Sequence, residues 1–244
     1  MQSPLQQILE TLAATATSTV FTVGCTTKQL NEMAEGLLRL YGVEPAFLGY
    51  KPEGKTEGYP AVLCTSINGE VIHGIPSDRK LEDGDVLKLD CGIKAQDGQY
   101  DDGATTVLVG DCSAVARRLV KSTKEALEAG IKVAKAGNTN HDIAKAIEAV
   151  AKRDGFAVIH GYGGHGIGTE LHMPPHIPNE MVYGADGKTP LDECVKLTSG
   201  MRIAIEPMLC SSKHGFTKVA ADGWTVKLIG GGIATHFERT VEIK

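Results

Sequence analysis

Two stretches of this chain recur in the same order a little over a hundred residues apart, and that repeat limits the folds open to it. GCTTKQL at 24–30 is echoed by GNTNHDI at 137–143, an offset of 113. LEDGDVLKLD at 81–90 is echoed by LTSGMRIAIE at 197–206, an offset of 116. Shared order and near-equal spacing mark a duplicated unit. The first member of each pair opens a segment with apolar residues at helical spacing: Leu30, Met33, Leu37 and Leu38 in one, Ile143, Ile147 and Val150 in the other. Each segment stops at a glycine, Gly42 and Gly155, as a helix C-terminus does. The second member of each pair is a turn followed by an alternating strand that ends on a carboxylate, Asp90 or Glu206.

The repeat predicts two related α+β halves, about 1–110 and 111–244, fused into one domain, since no Pro-, Gly- or Ser-rich linker separates them. AVLCTSI (61–67), VIHGI (71–75), DVLKLDCGIKA (85–95), ATTVLVG (104–110), FAVIHGY (156–162), MRIAIEPML (201–209), WTVKLI (224–229) and RTVEI (239–243) read as strands. Residues 113–136 read as a long amphipathic helix with Leu119, Ala126, Ile131 and Ala134 facing inward, and its counterpart falls at roughly 4–23. In that counterpart the β-branched cluster from Thr15 onward opposes helix. Helices followed by strands in each half predict an antiparallel sheet covered on one face by helices. Residues 53–58 and 183–193 read as surface loops.

Composition narrows the partners. A net charge of −5, with no basic tract, argues against nucleic acid. No apolar run approaches the ~18 residues a membrane span needs. The opening MQSPLQQILE has neither a charged n-region nor an apolar h-region, so a cytoplasmic protein is expected. The six cysteines (25, 64, 91, 112, 194, 210) form no CxxC pair, which argues against a thiolate zinc site and a disulfide frame. Most are expected to be small buried hydrophobes, while Cys64 and Cys91 lie near the acidic positions and are candidates to line a pocket.

Chemistry concentrates in VIHGYGGHGIGTELHM (158–173), where Gly161, Gly163, Gly164, Gly166 and Gly168 surround His165 and precede His172. The glycines oppose a helix and suit an extended segment entering the floor of a site. The duplicated strands carry Asp90 and Glu206 towards each other, and Asp102 and Glu238 sit in the strands that follow. Four carboxylates and an imidazole would then converge. Two charges ~4 Å apart repel by about 4 kcal/mol at an effective dielectric of about 20, so such a group takes up protons or divalent cations. Oxygen donors with one histidine suit Mn, Fe, Co or Zn, and bridging carboxylates would set two ions ~3.5–4 Å apart.

TSINGEVIHGIP (65–76), GHGIG (164–168), IEPM (205–208), DGWTV (222–226) and FERT (237–240), in this order, resemble the type I methionine aminopeptidases of the creatinase/aminopeptidase "pita-bread" superfamily, peptidase family M24. The likeness runs from about Leu12 to the C-terminus. It implies the pita-bread fold, two pseudo-symmetric halves with a curved antiparallel sheet covered by helices, over a single catalytic domain at 1–244. It implies five ligands for two divalent ions (Co, Mn, Fe or Zn): Asp102 and Glu238 bridging, Asp90 serving one ion, His165 with Glu206 the other. It also implies His73 and His172 as non-ligand histidines at the scissile bond, and a methionine pocket drawn from Tyr50, Tyr59, Cys64, Met208 and Trp224.

The implied reaction is removal of the N-terminal methionine from peptides and nascent chains by a water or hydroxide shared between the two ions. Glu206 would relay the proton, His172 would stabilise the carbonyl oxygen and His73 would hold the peptide. The likeness further implies a monomer, with ribosome docking left open. Asp102 is taken as the ligand over Asp101 because it keeps the family distance to Val109-Gly110; Asp101 is the alternative. Arg239 replaces the usual histidine beside Glu238, and Leu171 replaces an aromatic. Phe47 replaces a small residue, and the loop around Glu53 is longer than usual. His236, two residues before Glu238, is placed on the same strand face; His141, His160, His176 and His214 read as structural or solvated. The rival readings are an Xaa-Pro aminopeptidase or prolidase, towards which Asp90-Cys-Gly92 leans, and a pita-bread binding protein without catalysis.

Overall fold

The structure is a computed structural model that describes residues 3–18 and 24–244. Among these, the first half contains α1 (Pro4–Thr17), α2 (Thr27–Tyr41), β1 (Glu44–Pro45), β2 (Cys64–Ile67), β3 (Val86–Lys94) and β4 (Tyr100–Leu108). The second begins with α3 (Ala114–Val133), α4 (Asn140–Asp154), β5 (Ala157–Val158), β6 (Gly163–Gly166), β7 (Met173–Pro178) and β8 (Arg202–Ile205). It closes with β9 (Met208–Cys210), β10 (Thr217–Val219), β11 (Val226–Leu228), β12 (Ala234–His236) and β13 (Glu238–Glu242).

The helices start and stop where local chemistry requires. Thr26 and Gln29 form a reciprocal cap at the start of α2, and Thr139 with Asp142 does the same for α4. Gly42 and Gly155 end these two helices at φ 63° and 76°, a left-handed conformation that costs glycine little. Ser3 caps α1, with Pro4 in its first turn. The helix expected at 4–23 ends at Thr17; the rest of that expectation, residues 19–23, lies outside the described residues. The Thr11, Thr15 and Thr17 hydroxyls bond back to carbonyls one turn earlier, which bends and weakens a helix end.

An eight-stranded sheet runs in the order β1-β3-β4-β13-β8-β6-β7, with β2 also paired to β3. All its pairings are antiparallel. The order is mirrored about the β4–β13 seam, with the duplicated strands β3 and β8 one step out on either side. Helices cover one face. Leu5, Ile8, Leu9 and Leu12 of α1, with Leu30 and Leu38 of α2, pack on Leu87, Leu89, Cys91 and Ile93. Leu119, Ala126 and Leu127 of α3, with Ile143 and Ile147 of α4, pack on Ile203 and Ile205. Each fully buried Leu or Ile contributes ~1.5–3 kcal/mol of transfer free energy. No helix among the described residues is long and apolar enough to cross a membrane.

Two expectations need correction, and one strand was not foreseen. Residues 71–75 are not a strand, because His73 takes φ 58° and turns the chain, leaving Gly74 O to accept from Thr65 N at 2.7 Å. The run at 201–209 divides at Glu206-Pro207 into β8 and β9, which belong to different sheets. β7 went unread because Pro174, Pro175 and Pro178 argue against a strand; it sits at the sheet edge, where proline is tolerated.

Candidate metal centre and its cavity

The inner face of the sheet gathers the acids by register alone. Asp90 on β3 lies opposite Ala104 on β4, and Ala104 lies opposite Glu238 on β13. Asp102 is two residues from Ala104 and so shares its face. Three carboxylates therefore stand on adjacent strands around one small side chain, and all three are buried. Asp101, one residue away, points to the opposite face, towards Thr240 and Arg202. Arg239 also faces that side and pairs with Glu128 of α3 at 3.2 Å, so it adds no cation beside Glu238.

The second half supplies the remaining groups. Glu206 is the first residue past β8, its carbonyl held by Asn179 at 3.0 Å. His165 lies on β6 at a bulge in the pairing with β7, a device that re-aims a side chain. β6 approaches β8 so closely that a Cβ on Gly164 would lie 2.0 Å from Ala204 O. The bond between His165 Nδ1 and Gly166 O, 2.9 Å, places the hydrogen on Nδ1 and leaves the Nε2 lone pair facing inward. Nε2 is 3.8 Å from Glu206 and 4.0 Å from Glu238.

Donor atoms of Asp90, Asp102 and Glu238 lie within 4.8 Å of one another, as do those of His165, Glu206 and Glu238; Glu238 belongs to both sets. Burial first, and then neighbouring carboxylates, pushes all four acids well above the usual range. Burial lowers His165, which favours a neutral ring. Asp90 Oδ1 is buried without a hydrogen-bond partner. Buried carboxylate oxygens and the His165 lone pair thus face one another, and oxygens with one imidazole nitrogen are the donor set of a divalent first-row ion. The residues fit such ions.

These groups form one end of a cavity of about 320 Å³. The other end is apolar: Phe47, Tyr59, Cys64 and Leu171 form a buried cluster flanked by Tyr50 and Trp224. Tyr59 meets Trp224 edge-on at 5.2 Å, and its hydroxyl donates to Gly74 O at 2.9 Å. Phe47 and Leu171 both stand on the wall and narrow it. Between the two ends lie His73 and His172, each lowered to about 4 chiefly by burial. The His172 ring is 4.3 Å from that of His165, and its Nδ1 lies 2.7 Å from the Tyr50 hydroxyl.

Met208 is not on this wall. The break at Pro207 sends it into a separate cluster with Val71, Ile72 and Cys210, and Ile72 takes a place on the wall instead. Sequence reasoning also missed Pro52 as a wall residue. His236 shares a face with Glu238 but belongs to β12; its Nε2 is 3.4 Å from Glu206, and both its ring nitrogens are buried without partners. His141, His160 and His176 pair instead with Asp192 O, Glu180 and Asp192, and His214 stacks near Phe216. Lys88, buried two residues before Asp90, donates to Asn68 O at 2.9 Å; burial lowers its ammonium to about 7. A larger cleft of about 700 Å³ lies on the helix-covered side between α1 and α3, but its Asp101 and Arg239 face away from the acid cluster.

Residues 6–244 match metallopeptidase family M24. The chain is 44% identical over 221 residues to a methionine aminopeptidase of Aquifex aeolicus, covering 90% of this chain and 83% of the relative. It is 43% identical over 229 residues to methionine aminopeptidase 1 of Mycobacterium tuberculosis, covering 90% and 79%. The crystal structure of a methionine aminopeptidase from Thermotoga maritima superposes with a TM-score of 0.87 at 34% identity, covering 99% of this chain and 89% of that one.

Proposed function

The chain belongs to metallopeptidase family M24, and on that premise we propose that it removes the N-terminal methionine from peptides and nascent chains at the cavity described above. The observation that carries the reading is a cluster of four acids and one imidazole opening into an apolar pocket in a single cavity. In this proposal 1–244 is one catalytic domain, working as a cytoplasmic monomer. Asp90, Asp102, His165, Glu206 and Glu238 would hold two divalent ions; cobalt, manganese, iron and zinc all suit the donors. Such ions, when bound, would supply Lewis acidity to the scissile carbonyl and lower the pKa of water.

The chain's own residues do the rest. Glu206 takes the proton of the attacking water and passes it to the leaving amine. His172, neutral at working pH, is oriented through Nδ1 by the Tyr50 hydroxyl, which leaves Nε2–H to donate to the carbonyl oxygen as charge develops. His73 holds the peptide just past the scissile bond. The apolar pocket of Tyr50, Tyr59, Cys64 and Trp224 takes the methionine side chain, with Phe47 and Leu171 restricting its depth. Docking of the enzyme at the ribosome fits a nascent-chain substrate.

The test is release of methionine from Met-Ala-Ser with added manganese or cobalt, against Ala-Pro as the dipeptidase control. Turnover is expected with the first and not the second. Glu206→Ala and His165→Ala should each remove at least ~10²-fold of kcat/KM while circular dichroism stays unchanged. Full activity in either variant defeats the assignment.

A further inference from the structure

The loop at 51–58 borders the cavity. It is closed at its base, where Tyr59 N donates to Tyr50 O and Gly49 N to Tyr59 O, both at 2.8 Å. Pro52 of this loop lines the cavity. Lys55, at its far end, donates to Gly223 O and sits 4.7 Å from the centroid of the Trp224 ring. The ammonium is thus held by a carbonyl and an aromatic face, 168 residues away in sequence.

What it is not held by matters as much. Asp222, the nearest acid in sequence to its partners, is engaged within its own turn: Trp224 N and Thr225 N donate to one oxygen at 2.9 Å, and Thr225 Oγ1 to the other at 2.6 Å. Among the described residues Lys55 makes no ion pair, and Glu53 and Glu57 of its own loop are exposed and unpaired with it. A carbonyl uses one of the three ammonium donors; the others and the full charge stay available. The charge is felt inside, since Lys55 is the second cause, after burial, of the lowered His73 pKa.

We propose that Lys55 is a specificity determinant, a fixed cation at the exit of the cavity that favours peptides carrying a carboxylate side chain at the third or fourth residue. The inference rests on the peptidase reading. In that reading the peptide leaves the scissile bond past His73. The His73 and Trp224 rings are 6.5 Å apart and Lys55 Nζ lies 4.7 Å from the Trp224 centroid, so the ammonium is within about 11 Å of the His73 ring. Extended chain advances ~3.3 Å per residue, so the third and fourth residues of a peptide whose second residue lies at His73 come within that reach.

The test compares Met-Ala-Glu-Ser, Met-Ala-Ser-Ser and Met-Ala-Lys-Ser, with the neutral peptide as internal reference. For the native protein at low salt, kcat/KM should favour the Glu peptide over the Lys peptide by roughly tenfold, mainly through KM. Raising salt from about 50 to about 500 mM should shrink that ratio several-fold. Lys55→Gln keeps a donor for Gly223 O but drops the charge, so the ratio should collapse towards one; Lys55→Arg should retain it. A native ratio near one, or a ratio that survives in Lys55→Gln, overturns the proposal and leaves Lys55 a mere latch for the loop. Failure to cleave even the neutral peptide overturns the peptidase reading itself.

Discussion

At the scale of single residues, the pleat decides which acid matters. Asp101 and Asp102 are adjacent and chemically identical, yet only Asp102 faces the cluster. Asp102→Asn is therefore expected to lower kcat/KM by ~10²-fold or more and to abolish tight divalent binding, whereas Asp101→Asn stays within about threefold. Calorimetric titration with manganese alongside peptide turnover checks both; equal losses would mean that the register argument is wrong. The cluster itself was legible, because the duplicated strand ends Asp90 and Glu206 announce it. Met208 was not, since nothing in MRIAIEPML says that Pro207 will turn the chain into another sheet. Lys88 was invisible for a different reason: a lone lysine in an alternating strand reads as the solvated face, whereas the fold buries it with its ammonium on Asn68 O and Val86 O.

Elements were readable where a local signal closes them. Both repeat helices stop at the glycines expected to stop them, and α3, expected at 113–136, spans Ala114–Val133. Strands defined by tertiary contact escaped: β7 carries three prolines, and β10 and β12 are three residues each. The glycine run around His165 turns out to have two physical roles. Gly164 is required by proximity, and Gly161 only by backbone conformation, with φ 81° and open space around its would-be Cβ. Gly164→Ala should thus cost more than ~3 kcal/mol by forcing β6 off β8, while Gly161→Ala costs about 1 kcal/mol. Urea unfolding of the two variants separates them; similar midpoints would show that β6 and β8 have slack between them.

For the whole molecule, the buried acids tie stability to cations. Their folded-state pKa values lie above the unfolded ones, so the folded chain binds more protons and stability falls as pH rises from the ordinary carboxylate range. Metal-free protein should accordingly melt higher at mildly acidic than at neutral pH. Ions that replace those protons reverse the loss: at a hundredfold excess over Kd they add about 2.7 kcal/mol, a Tm rise of roughly 5–10 °C. Melts in chelator and in manganese across pH measure this, and indifference to metal at neutral pH would contradict it.

The seam between β4 and β13 joins the two halves of the sheet through just two residue pairs, with Thr240 bracing Asp102 across it. Asp90 and Asp102 stand on one bank, Glu238, Glu206 and His165 on the other. A cation gripped from both banks is a rivet through that short join, tying one half of the sheet to the other.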